Sequence, residues 1–204
     1  MCPITRAQKA LRIAVLGSGR GTNLQAILRA IATGKLQALV AVVACDQPGA
    51  GILKIATEHR IPVIEIPPGP FRTKLTPETE SALATDLDHH KPDLIVLAGY
   101  MRIIKPPLLD AFPKRIINIH PSLLPNFPGV AAWEQALHAG ETETGCTIHF
   151  VDAGTDSGPI IAQARVPIFP DDTPDSLHAR IQIAEHQLYP EVLQQFAEGV
   201  IPAE

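Results

Sequence analysis

The chain has 204 residues, 46% of them hydrophobic and 19% charged, with a formal net charge of −4. That balance suits one globular domain with a sizeable core and excludes a disordered chain. No Lys/Arg run stands out, which argues against nucleic acid as the main partner, and no apolar run reaches the roughly 18 residues of a membrane helix.

Residues 1–10 read as a loose N-terminal tail without a signal-peptide core, so the cytoplasm is the expected compartment. Residues 11–16 form a short apolar strand, followed by a glycine-rich loop and a helix over about 23–32. A second buried strand is expected at 39–45, a helix at 50–60, a strand at 62–66 and a helix at 77–90, with Pro77 in its first turn. Residues 93–98 and 116–119 are further strands. Alternating strands and helices with near-continuous apolar strands predict an α/β fold with a mainly parallel sheet and a Rossmann-like N-terminal half. After residue 120 the pattern changes. Residues 144–151 and 159–166 predict an antiparallel C-terminal strand pair, and 175–198 a long final helix with a kink or break near Pro190. A single domain over 1–204 is expected.

The stretch Asn118-Ile119-His120-Pro121-Ser122-Leu123-Leu124-Pro125 carries the most chemistry. Residues two apart on a strand point to the same face, so Asn118 and His120 aim at one small volume. An amide offers two N–H donors and an imidazolium two more, which suits an oxyanion forming at an acyl carbon. Pro121 and Pro125 fix φ and stiffen the loop between them. Asp156, in Thr155-Asp156-Ser157-Gly158-Pro159, is available to hold the histidine in one tautomer and raise its pKa, or to take up a proton. On the tripeptide alone, a turn or cap device is the more common reading.

In Gly17-Ser18-Gly19-Arg20-Gly21-Thr22-Asn23 the glycines alternate, unlike a dinucleotide fingerprint. Asp46 is the only acidic candidate after the second strand for such a role. The helix that follows the loop offers free N–H groups and a positive dipole end to a phosphate, with Arg20, Thr22 and Asn23 as added donors. A strand-to-helix turn capped by Thr22 or Asn23 fits the same residues. Gly99-Tyr100-Met101-Arg102-Ile103-Ile104 follows the fourth strand, at the carboxyl end where such sheets bind ligands. Ordinary packing with Arg102 solvated is the plainer alternative. Cys2, Cys45 and Cys146 lack paired spacing, which argues against disulfides and zinc; Cys45 and Cys146 read as buried thiols. No cluster has metal-ligand spacing, so no metal is expected.

Residues 118–125 together with Asp156-Ser157-Gly158-Pro159 resemble the folate-dependent formyltransferases, and the resemblance runs from about Leu11 to the last helix. The loop over 17–25 is similar to that of members whose acceptor is glycinamide ribonucleotide. The resemblance implies transfer of the formyl group of 10-formyltetrahydrofolate, as co-substrate, to the amine of that ribonucleotide, a step of purine synthesis. It implies Asn118, His120 and Asp156 as the catalytic group. It implies Gly21, Thr22, Asn23 and Glu185 as contacts to the ribonucleotide's phosphate and ribose. Lys74, Met101, Arg102, Ile103, Ile104 and Asn118 are the implied folate contacts. Thr22 stands where many members have Ser, and Lys74 where Arg is frequent. After Pro128-Gly129 some members carry histidines, whereas this chain reads Val130-Ala131-Ala132-Trp133-Glu134, which weakens that loop's claim to the ribonucleotide. His149 reads equally as a supporting partner of the trio or a plain strand residue. The expected partners are the two small molecules, with no nucleic acid and no membrane, on a monomer or homodimer. Another amine acceptor, or hydrolysis of 10-formyltetrahydrofolate, is the alternative within the family. The tRNA-directed members normally carry an extra C-terminal domain and the hydrolases an N-terminal one; neither is expected here. A nucleotide-binding module without catalysis would have no need of the trio.

Overall fold

A computed structural model describes residues 9–202; the expectations for residues 1–8, including Cys2, lie outside the described residues. Seven strands form one sheet in the order β3-β2-β1-β4-β5-β6-β7. β1 (Leu11–Leu16), β2 (Ala38–Cys45), β3 (Val63–Glu65), β4 (Leu94–Leu97) and β5 (Ile116–His120) run parallel. β6 (Glu143–Phe150) and β7 (Ile160–Pro167) form the expected antiparallel pair, and β6 also runs antiparallel to β5.

The inner parallel strands β1, β2 and β4 are almost wholly apolar because helices cover both faces. On one face, Ile13 and Val15 of β1, Val96 of β4 and Ile117 of β5 pack with α1 (Thr22–Ala32), α2 (Gly51–Glu58) and α6 (Pro174–Ala197). On the other, Leu16, Leu97 and Ile116 pack with α3 (Pro77–His89) and α4 (Pro106–Ala111). α5 (Ala132–His138) lies against the α6 layer through Trp133 and Leu137. Strand order reverses between β1 and β4, so the loops after these two strands open a crevice at their carboxyl ends. Both loops are the ones that the sequence singles out.

Three elements depart from the sequence expectation. α4 and α5 span six and seven residues, too short for a helical period to show, and α4 buries only Leu108. α6 continues through Pro190, where a kink or break is expected. Tyr189, Val192, Leu193 and Phe196 are buried around it, and that packing outweighs the one hydrogen bond the proline cannot make.

Tyr189 ties α6 to the site. Its hydroxyl, fully buried, donates to the Leu97 carbonyl at 2.9 Å and approaches that of Ile117 at 3.5 Å. Leu97 ends β4, and Ile117 directly precedes Asn118 on β5. Tyr189→Phe leaves them without that donor and is expected to cost about 1–3 kcal/mol of stability in urea unfolding. Unchanged stability would show that the hydroxyl contributes nothing net.

Candidate active site

The site grows from the end of β5. Asn118 and His120 point to the face that carries Ile116. Antiparallel pairing with β6 sets His149 opposite Asn118 and Thr147 opposite His120. The His149 Nδ1 lies 2.8 Å from the Phe150 carbonyl, which only accepts, so Nδ1 carries the proton. Nε2 is then an acceptor, and the Asn118 Nδ2 donates to it at 3.2 Å. This chain fixes which way the Asn118 amide faces and leaves its second N–H for a ligand. His149 is therefore a supporting partner rather than a plain strand residue, a role that only the strand pairing reveals.

His120 is buried between two acceptors. Its Nε2 lies 2.9 Å from the Phe127 carbonyl and its Nδ1 3.4 Å from the Asp156 Oδ2. Asp156 thus reaches His120 as expected, and its other oxygen sits 3.6 Å from the His149 Nε2. The expected rise in the His120 pKa does not hold as a net effect. Burial lowers it, and although the Phe127 carbonyl and Asp156 push it up, burial prevails. Asp156 goes the other way. Burial raises its pKa, but the His149 ring in its protonated form, the Gly129 amide at 2.8 Å and the His120 charge outweigh that and hold the carboxyl below its ordinary range. Its backbone is left-handed, with φ 52, and this aims the carboxylate back at the two rings.

The loop between the two prolines is stiff for an additional reason. The Thr147 hydroxyl donates to the Ser122 carbonyl at 2.7 Å and accepts from the Leu124 amide at 3.0 Å, while the Ser122 hydroxyl donates to the Asn126 carbonyl at 2.6 Å.

A cavity of about 230 Å³ joins Asn118, His120, Asp156 and His149 to the strip Met101 to Ile104. Met101 and Ile103 are exposed there at 65% and 39%, an apolar surface without a protein partner. Gly129, Val130, Ala131 and Trp133 complete one wall. The Val130–Glu134 segment that the sequence sets aside thus borders the trio. Arg102 is buried rather than solvated, and Lys74 is exposed outside the cavity wall, bridged to it through the Lys74–Ile103 pairing.

The other expected residues lie across the crevice, outside this cavity. The cap of α1 is Gly21, with φ 80, and no side chain caps the helix, contrary to a Thr22 or Asn23 cap. A Cβ on Gly21 would stand 2.8 Å from the Ile52 Cα, so both space and conformation require glycine. Asn23 is turned inward. Its Nδ2 donates to the Glu185 Oε2 at 2.9 Å, so its side chain is not the added donor expected at the helix start. Glu185 is buried, with its pKa raised to about 7 by burial, against the Asn23 hydrogen bond. The two sides of the crevice are joined by side chains. Trp133 stacks on His178 at 3.8 Å between centroids, His178 contacts Gln182 at 3.3 Å, and Gln182 accepts from Arg20 at 3.3 Å.

The buried Glu185 makes stability depend on pH. The unfolded chain ionises this group near 4.5, whereas the folded chain holds the proton to about 7. Its favourable contribution is full below 4.5 and is lost as pH rises through 7. Glu185→Gln stays neutral, so relative to wild type it gains a few kcal/mol from acid to pH 8, at about 1.4 kcal/mol per pKa unit. Urea unfolding at both ends of that range reads it; an equal difference at both would contradict it.

Among the described residues, no group of three or more His, Cys, Asp or Glu is arranged to hold a metal ion, and no helix is long and apolar enough to cross a membrane. Cys45 and Cys146 are free and buried.

An open α/β sheet with an amide, an imidazole and a carboxylate beside an apolar strip at the strand ends defines an acyl-group transfer enzyme. The formyl transferase family model matches residues 11–193, and the chain belongs to that family. It is 40% identical over 189 residues to the phosphoribosylglycinamide formyltransferase of Escherichia coli K12, covering 93% of this chain and 88% of that one. It is 44% identical over 195 residues to the trifunctional purine biosynthetic protein adenosine-3 of Drosophila melanogaster, covering 95% of this chain but only 14% of that longer protein. The crystal structure of glycinamide ribonucleotide transformylase 1 from Symbiobacterium toebii superposes with a TM-score of 0.88 at 47% identity, over 94% of this chain and 89% of that one.

Proposed function

We propose that the protein transfers the formyl group of 10-formyltetrahydrofolate to the amine of glycinamide ribonucleotide, in the cytoplasm, as a single domain. The observation that carries this is the meeting, in one cavity, of Asn118, His120 and Asp156 with the apolar strip at Met101 to Ile104. The pterin lies on that strip, and Lys74 meets the charged tail of the folate. The phosphate sits on the free amides at Gly21, Thr22 and Asn23, and the ribose hydroxyls meet Glu185. The amine attacks the formyl carbon, and the free N–H of Asn118 and the Nδ1–H of protonated His120, whose 3.4 Å contact with Asp156 is longer than an ordinary hydrogen bond, stabilise the oxyanion. The bond from the formyl carbon to the folate nitrogen then breaks. That nitrogen gains a proton, and the amine loses one toward Asp156. His149 holds Asn118 in the orientation this requires.

Tetrahydrofolate formation, measured with the ribonucleotide, with phosphate-free glycinamide and with water alone, tests the reading. Turnover should depend on the ribonucleotide. Equal rates in water would make the protein a hydrolase, and equal rates with glycinamide would remove the phosphate from recognition.

A further inference from the structure

Asp46 and Arg102 form an ion pair that the reaction does not use. Asp46 follows β2 and is 2% exposed; Arg102 is 7% exposed. The Arg102 Nε donates to the Asp46 Oδ2 at 2.6 Å, and its Nη1 donates to the carbonyls of Phe71 at 2.6 Å and Lys74 at 3.1 Å. The other Asp46 oxygen accepts from the Ser18 hydroxyl at 2.5 Å, and that hydroxyl accepts from the Met101 amide at 3.0 Å. The Gln47 side chain also donates to Asp46, at 3.1 Å. Burial raises the Asp46 pKa, but the bonds from Ser18, Arg102 and Gln47 outweigh it and keep the carboxyl below its ordinary range. The Asp46 carboxylate is thus fully engaged and is not free to receive a ribose, as a dinucleotide site would require.

A buried ion pair adds little net stability, so what this one does is sought in what it holds in place. The segment 71–74 has no helix and no strand of its own. It meets the cavity strip through the Lys74–Ile103 bridge, where the Ile103 amide donates to the Thr73 carbonyl at 2.8 Å, and through the guanidinium of Arg102. We infer that Asp46 is a positioning residue for the folate side of the site, holding Arg102 so that it fastens segment 71–74 to the strip that carries Met101 and Ile103. Without the carboxylate, Arg102 is a buried unpaired charge, turns toward water and releases both carbonyls. The glycine-rich loop is affected less, because Gly17 donates to the Ala44 carbonyl at 3.1 Å and Ser18 to that of Gly99 at 3.0 Å through backbone alone.

The assignment to folate rests on the proposed function, so the test has two arms. Hydrogen exchange by NMR is read first, in the free protein. In Asp46→Ala the amides of Met101 and Ile103 exchange at least about tenfold faster, while those of the β6–β7 ladder keep their wild-type rates. Steady-state kinetics is read second: KM for 10-formyltetrahydrofolate rises about tenfold, and KM for the ribonucleotide moves less than twofold. General destabilisation would shift both substrates and both sets of amides together. Asp46→Asn keeps the shape and one acceptor, so it restores most of both effects; if Asp46→Ala does not fold, Asp46→Asn gives the same selective pattern at about threefold. Unchanged exchange at Met101 and Ile103, or equal shifts in both KM values, overturns the inference. A wild-type protein that transfers no formyl group overturns the proposed function instead, and the exchange arm still decides the role of Asp46.

Discussion

His120→Ala is expected to lower kcat by ~10²–10³-fold, the range for loss of one oxyanion donor. His120 is 4% exposed, and its two ring nitrogens face the Phe127 carbonyl and Asp156. The substitution therefore also leaves a buried acceptor without a partner, at about 1–3 kcal/mol of stability. The effect on activity must be separated from that loss by circular dichroism and by saturation with both substrates. An interaction made only in the transition state lowers kcat and kcat/KM alike and leaves KM in place. Asn118→Ala is expected to behave similarly, as the second proposed donor to the same oxygen. Removing both costs less than the product of the single losses, because the two donors act on one atom. Near-wild-type turnover in folded His120→Ala would remove the histidine from the mechanism.

Asp156→Asn is expected to have an effect of similar size, ~10²–10⁴-fold in kcat, through loss of the group that accepts the amine proton. It should also move the pH profile in a stated direction. Burial lowers the His120 pKa from 6.5, and the Asp156 charge partly opposes that. Removing the charge lets the His120 titration fall further, so the alkaline limb, where this ring loses its proton, shifts to lower pH in kcat/KM. Asparagine keeps an oxygen that accepts from the Gly129 amide, so the loop is held while the charge is gone. An NMR titration of the His120 ring, alongside kinetics, separates its pKa from that of the amine. An unchanged profile would exclude Asp156 from this titration.

Much of this was legible in the sequence for physical reasons. The parallel strands are continuous apolar runs because both faces are covered, and their bounds lie within a residue or two of those read from the chain. Asn118 and His120 share a face because strand geometry has period two. Other features depend on tertiary pairing. His149 meets Asn118 only through the β5–β6 register, and nothing local in residues 143–150 marks it. Arg102 reads as a surface residue until β2 delivers Asp46 to it. Glu185 sits in a helix of mixed polarity, and only the packing of α1 on α6 shows that it is buried against Asn23. The sign of the His120 shift was hidden for the same reason: the sequence displays a nearby carboxylate but not the burial that opposes it.

Catalysis by Asn118, His120 and Asp156 depends on where the formyl group lies when both substrates are bound. A crystal structure of the protein with glycinamide ribonucleotide and a non-reactive 10-formyl folate analogue measures it directly. The prediction is that the amine nitrogen stands about 3–3.5 Å from the formyl carbon, the formyl oxygen faces the Asn118 Nδ2 and His120, and the phosphate meets the amides at Gly21 to Asn23. A formyl group lying away from Asn118 and His120, with the ribonucleotide phosphate elsewhere than at the start of α1, would contradict it.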